Sequence, residues 1–179
     1  NHISVSLPLS ITAIGLLPEH YGMVMAVNGV LIILLQPFAG RTVAALRPAH
    51  VVAIASVLTG IGLGANVFAH SALHFGLAVV IWTIGEITMV PVLSTVVAEL
   101  APADARGRYQ GVFSMVGGLG GLVAPTVGAV ILDRAGATWL WTSCLATCLV
   151  MALGYLFLDA SLERRLATER MAEARAGTG

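Results

Sequence analysis

The chain has no lysine, only two cysteines, and charged residues at just 10% of its 179 positions. That poverty of charge excludes an ordinary soluble domain, which carries about 25% charged residues to cover its surface. Apolar residues make up 58% of the chain and mean hydropathy is +0.92, so lipid is the solvent that the composition fits. Formal net charge is zero, and a nucleic-acid partner, which would need a concentrated basic face, is not expected. All nine cations are arginine, in keeping with a GC-rich bacterial genome. The chain opens at Asn1 with no basic region followed by a cleavage site, so no signal peptide is expected. Cys144 and Cys148 lie four apart in an apolar run, one helical turn from each other. With no CxxC and no Cys/His cluster around them, they read as packing residues ahead of a disulfide or redox pair.

What the chain does have is long apolar runs with regular polar punctuation. A bilayer-crossing helix needs about 20 mainly apolar residues. Runs cover about 3–16, 21–39, 50–69, 74–98, 109–132 and 138–158, followed by a polar tail over 160–179. The reading is an all-α membrane protein with six transmembrane helices, residues 1–159 forming one helical bundle. The first run is short, which suggests a truncated helix of a longer protein. Arg41, Arg47, Arg106, Arg108, Arg164, Arg165, Arg170 and Arg175 fall on one side of such a bundle, and Arg134 alone on the other. The positive-inside rule then places the C-terminus in the cytoplasm. The tail alternates charge from Glu163 to Arg175 and reads as a solvated or interfacial helix that frays toward Gly177 and Gly179.

Two spans are rich in glycine. The third holds TGIGLGA, with Gly60, Gly62 and Gly64. It lies mid-membrane without the strand-to-helix context of a phosphate loop, and small residues there let neighbouring backbones approach closely. The fifth span holds Gly111, Gly117, Gly118, Gly120, Gly121, Gly128 and Pro125. Glycine weakens a helix and proline removes one of its hydrogen bonds. Because Gly117, Gly118, Gly120 and Gly121 cover more than one face, the span reads as a moving element, with close packing as the alternative. His70 and His74 are spaced i, i+4 but have no third ligand, so no metal is expected.

The run VVAELAPADARGRYQGVFSMVGGLGGLVAPTVGAVI, residues 96–131, resembles the major facilitator superfamily. It is similar to the stretch linking the tenth and eleventh helices of bacterial drug-efflux-type members. IWTIGE and YGMVMAVNGVLIILLQPFAGR resemble the tenth and eighth helices, and together these pieces cover nearly the whole chain. The resemblance implies the C-terminal six-helix half of a twelve-helix major facilitator fold, partnered by an N-terminal half. GRTVAALRPAH keeps Gly40 but departs from the family's cytoplasmic signature, with alanine where an acid belongs and Arg47 where a second glycine belongs. Gly120, Ala124, Pro125, Gly128 and Ala129 make a relaxed version of the family's antiporter signature, in the symmetry mate of the helix that usually carries it.

The resemblance also implies a central cavity near the bilayer midplane, lined by the first, second, fourth and fifth spans, with the third and sixth facing lipid. Candidate pathway residues are Asn28, Gln36, Trp82, Thr83, Glu86 and Ser114, joined by Thr88 and Thr126. Thr142, Ser143 and Thr147 in the sixth span make that partition imperfect. Glu86 stands in IWTIGEITMVP with no other charge for eleven residues on either side. Intramembrane acids are rare and face a cavity or a partner, and apolar surroundings disfavour the charged form. Glu86 reads as a proton carrier or a partner for a cationic substrate beside Trp82; the alternative is a protonated side chain bonding a neighbouring helix. Arg106 and Arg108 are expected at a cytoplasmic turn. The whole implies secondary transport with no enzyme chemistry and no cofactor: proton-coupled efflux of drug-like or amphipathic small molecules at the cell membrane. An importer or uniporter of sugars or metabolites, or a membrane scaffold, are the alternatives.

Overall fold

The computed structural model describes residues 3–43, 46–102 and 104–176, with side chains described from residue 6 to residue 160 except at 41, 44, 45 and 103. The helices are α1 (Ile3–Ala13), α2 (Pro18–Val43), α3 (Pro48–Ala65), α4 (Ala72–Leu100), α5 (Arg106–Ala135) and α6 (Ala137–Ala176), with a 3-10 turn at Asn66–Phe68. No strand occurs among the described residues. Among the described residues, five helices, α2 to α6, contain stretches long and apolar enough to cross a bilayer. α1 has 11 residues and, at about 1.5 Å per residue, reaches about half-way through a hydrocarbon core. α6 carries the backbone into the tail. The tail's side chains from residue 161, and Gly177 and Gly179 entirely, lie outside the described residues.

The helix ends follow from local chemistry. Pro18 and Pro48 open α2 and α3, where a missing N–H leaves nothing unsatisfied. Ser71 caps α4 by accepting the His74 backbone N–H at 3.4 Å. His74 Nδ1 accepts the His70 N–H at 3.4 Å and lies 3.1 Å from Ser71 Oγ, so the histidine pair builds this turn. Among the described residues no cluster could hold a metal ion. Between α5 and α6 stands one residue, Gly136, with φ +87°, and its N–H donates to the Leu132 carbonyl at 3.0 Å. That left-handed conformation strains any residue with a Cβ, so glycine is required there.

α3 packs between α4 and α6. A Cβ on Gly62 would meet the Trp82 backbone nitrogen at 2.5 Å, and one on Gly85 would meet the Ala55 carbonyl at 2.5 Å. Gly60 and Gly64 turn to α6, where an added Cβ would lie 2.8 Å from Cys148 Cβ and 3.2 Å from Leu145. The core adds Leu7 and Ile11 of α1, Val24 of α2, Phe75, Val79 and Trp82 of α4, and Leu140 and Trp141 of α6. α5 contributes only partly buried side chains to it, Ile131 and Leu132. Interior prolines fall one each in α1 (Pro8), α2 (Pro37), α4 (Pro91) and α5 (Pro125). α3 and α6 have none past their first turn.

One end of the bundle gathers the close of α2, the start of α3 and the close of α4 around a cavity of about 450 Å³. The start of α5 joins that end, since Gln110 Nε2 donates to the Ser94 carbonyl at 2.7 Å. α6 joins it through the Arg47–Asp159 ion pair at 2.7 Å.

Candidate intramembrane site

Along α4, Val79, Trp82, Thr83 and Glu86 share one face by their spacing of three and four residues. The upper part of that face is closed. Val79 and Trp82 sit in the core, and Thr83 is fully buried at the α2 contact. Asn28 Nδ2 donates to Thr83 Oγ1 at 2.9 Å, and Thr83 Oγ1 donates to the Val79 carbonyl at 2.6 Å. This relay joins two helices and satisfies a buried hydroxyl inside an apolar bundle, where an unpartnered polar group is costly.

Glu86 lies one turn beyond Thr83. It is half-buried, and among the described residues its carboxyl forms no hydrogen bond or ion pair. Its neighbours along the helix, Gly85 and Ile87, are both buried. The acid therefore sits at the edge of the α3–α4 contact, where side-chain packing gives way to open surface. Trp82 lies in the core, 5% exposed, with its backbone against Gly62. Its ring is thereby a wall of the bundle.

The structure thus joins two of the sequence-predicted residues, Asn28 and Thr83, and sets Glu86 beside them. Gln36 on α2 and Ser114 on α5 are exposed in this chain, as are Arg106 and Arg108 at the start of α5. Thr88 Oγ1 donates to the Gly85 carbonyl of its own helix at 2.9 Å. The hydroxyls of α6 are likewise self-satisfied: Thr142 donates to Thr138, Ser143 to Leu140 and Thr147 to Ser143. Their presence in the sixth span needs no cavity to explain it.

On α5, a Cβ added to Gly111, Gly117, Gly118, Gly120 or Gly121 would meet nothing within 4 Å. Gly128 alone is buried on this helix. Pro125 lacks the N–H that would bond the Gly121 carbonyl, so helix support is weakest in the turn that already holds four glycines. Gln110 and Asp159 are polar contacts that the sequence reading passed over. Both stand where an apolar run meets polar residues, and that position was the available signal.

The helices, long and apolar, with Glu86 as an acid at mid-span and a buried polar relay beside it, define a multi-pass membrane protein. The family model of the Major Facilitator Superfamily matches residues 1–177, and the chain belongs to that family. It is 29% identical over 163 residues to an uncharacterized MFS-type transporter of Bacillus subtilis, YttB, covering 89% of this chain and 41% of the relative. It is 31% identical over 114 residues to the MFS-type transporter YdeE of Escherichia coli, covering 62% of this chain and 28% of the relative. A shorter match, 34% over 58 residues, is to multidrug resistance protein 3 of B. subtilis, covering 32% of this chain and 11% of the relative. The chain spans less than half the length of each of these relatives. No solved structure matches it.

Proposed function

We propose that this chain is one six-helix half of a twelve-helix secondary transporter, which moves a small molecule across the cell membrane by alternating access. The reading rests on family membership across residues 1–177 together with two relatives named as transporters. Drug-like or amphipathic compounds are the proposed substrates, supported by the match to a multidrug resistance protein. The arginine-rich end, carrying Arg106 and Arg108, is assigned to the cytoplasm with the C-terminus, following the positive-inside rule. An N-terminal half supplies the opposite wall of the substrate path. No catalysis or cofactor enters this function.

Glu86 is assigned the coupling role. The observation that carries it is an intramembrane carboxyl without a partner among the described residues, next to the Asn28–Thr83 relay. In one protonation state it is a neutral donor able to seal against a neighbouring helix; in the other it is a charge that needs water or a cation. Switching between those states biases the bundle between closed and open arrangements, which is what coupling requires. Asn28 and Thr83 hold α2 and α4 in register around it, and Gln36 and Ser114 are assigned to the substrate path. The test is proton-driven uptake by everted vesicles holding the complete protein with Glu86→Gln. Loss of proton-driven accumulation with exchange retained is expected. Unchanged coupling together with unchanged affinity for cationic substrates would sink the assignment.

A further inference from the structure

We propose that Cys144 and Cys148 form a dithiol site for trivalent organoarsenicals, in the cavity between α3, α5 and α6. Both thiols belong to one helix, four residues apart, and both line a cavity of about 330 Å³. Neither is disulfide-bonded. Positions i and i+4 hold their Cβ atoms about 5–6 Å apart. A disulfide needs about 3.5–4.5 Å, so a direct bond would require the helix to deform. A centre that takes two sulfurs closes the same gap with two bonds to sulfur instead of one, each near the zinc–sulfur length of about 2.3 Å.

The walls select what else the ligand carries. Leu63, Val127, Ile131 and Leu140 face the cavity, and Ala124 and Gly128 keep the α5 wall shallow. On the α3 side Gly60 lies so close to Cys148 that an added Cβ would stand 2.8 Å from the Cys148 Cβ, which fixes α6 against α3 at the cysteine pair. Ser143 and Thr147 also line it, but their hydroxyls donate to carbonyls of their own helix. A dry engineered cavity of about 150 Å³ holds benzene, so this one has space for a phenyl ring and the arsenic that bears it. Phenylarsine oxide reacts as a condensation: two S–H bonds and the As–O bond break, two As–S bonds form, and one water leaves. Arsenic stays trivalent, and no oxidant or reductant is needed. Holding both sulfurs on one rigid turn makes the second bond intramolecular, which strengthens capture over a single thiol by about a hundredfold or more.

The experiment treats purified full-length protein with phenylarsine oxide in the presence of excess monothiol, and reads intact mass and maleimide reactivity. Expected is one arsenical per chain attributable to this pair, loss of maleimide labelling at both cysteines together, and release by a dithiol but not by monothiol. Cys144→Ser and Cys148→Ser should each weaken capture by about a hundredfold, and the double variant should lose that adduct. Alanine replacements serve if the serine variants do not fold. Equal retention of the adduct by either single variant, or by the double variant, would overturn the proposal. So would an arsenical that leaves both thiols open to maleimide. The site does not depend on the transport reading, since binding is scored without transport.

Discussion

α3 and α5 are both glycine-rich helices of the same bundle, yet their glycines stand in opposite surroundings. In the most apolar stretch of α3, 56% of residues are buried, against 6% in α5. Each α3 glycine replaces a side chain that a neighbour would collide with: Gly62 at α4, Gly60 and Gly64 at α6. On α5, a Cβ at Gly111, Gly117, Gly118, Gly120 or Gly121 would meet nothing within 4 Å among the described residues. A packed glycine lets two backbones touch, which contributes dispersion and sets helix separation. An unpacked glycine contributes only a weaker helix. Composition is the same in kind, and the consequence for the molecule is reversed.

Breaking the packed side should have the largest effect. Gly62→Val places atoms within the α4 backbone and should destabilise the bundle by about 3 kcal/mol or more, beyond the usual range for overpacking because backbone must move. A fall in the thermal midpoint of the detergent-solubilised protein checks it. Next, Asn28→Ala removes a donor from buried Thr83 and should cost about 1–2 kcal/mol, read the same way. On the unpacked side the sign changes. Gly118→Ala or Gly120→Ala should raise stability by about 0.5–1 kcal/mol through helix propensity while slowing transport turnover. Turnover equal to that of the unaltered protein in both alanine variants would overturn the moving role expected of α5. The smallest effect belongs to Arg47→Ala, at about 0–1 kcal/mol and reduced by salt, because the guanidinium is half exposed.

The membrane character and helical class were legible because hydropathy is a local property, readable run by run from residues 21 to 158. The family could be read from order and spacing, as in residues 96–131 followed by a glycine-loaded span. That Gly60, Gly62 and Gly64 serve close approach was also readable. Which neighbour each one meets was not, since three glycines two apart point to two different helices. Asn28 and Thr83 each appeared as a polar residue in an apolar run, but their bond spans 55 positions and depends on which helices are neighbours. Arg47 was visible as part of a charge bias. Its pairing with Asp159 needed α6 folded back along α3. The resemblance placed the third span toward lipid; among the five candidate spans of the described residues α3 has the largest buried share, held on two sides by α4 and α6.

The one-residue joint at Gly136 constrains how α5 can travel. Its C-terminal end is tied to α6 through a fixed left-handed turn, so the helix has no slack there with which to slide as a whole. The weak turn from Gly117 to Pro125 lies part-way along, and the stretch from there to Arg106 is an arm about 22 Å long. A bend of about 10° at the weak turn therefore swings Arg106 by about 4 Å while Gly136 stays still. If α5 moves as the sequence reading expects, it would do so as a lever anchored at one end, with Arg106, Arg108 and Gln110 at its tip.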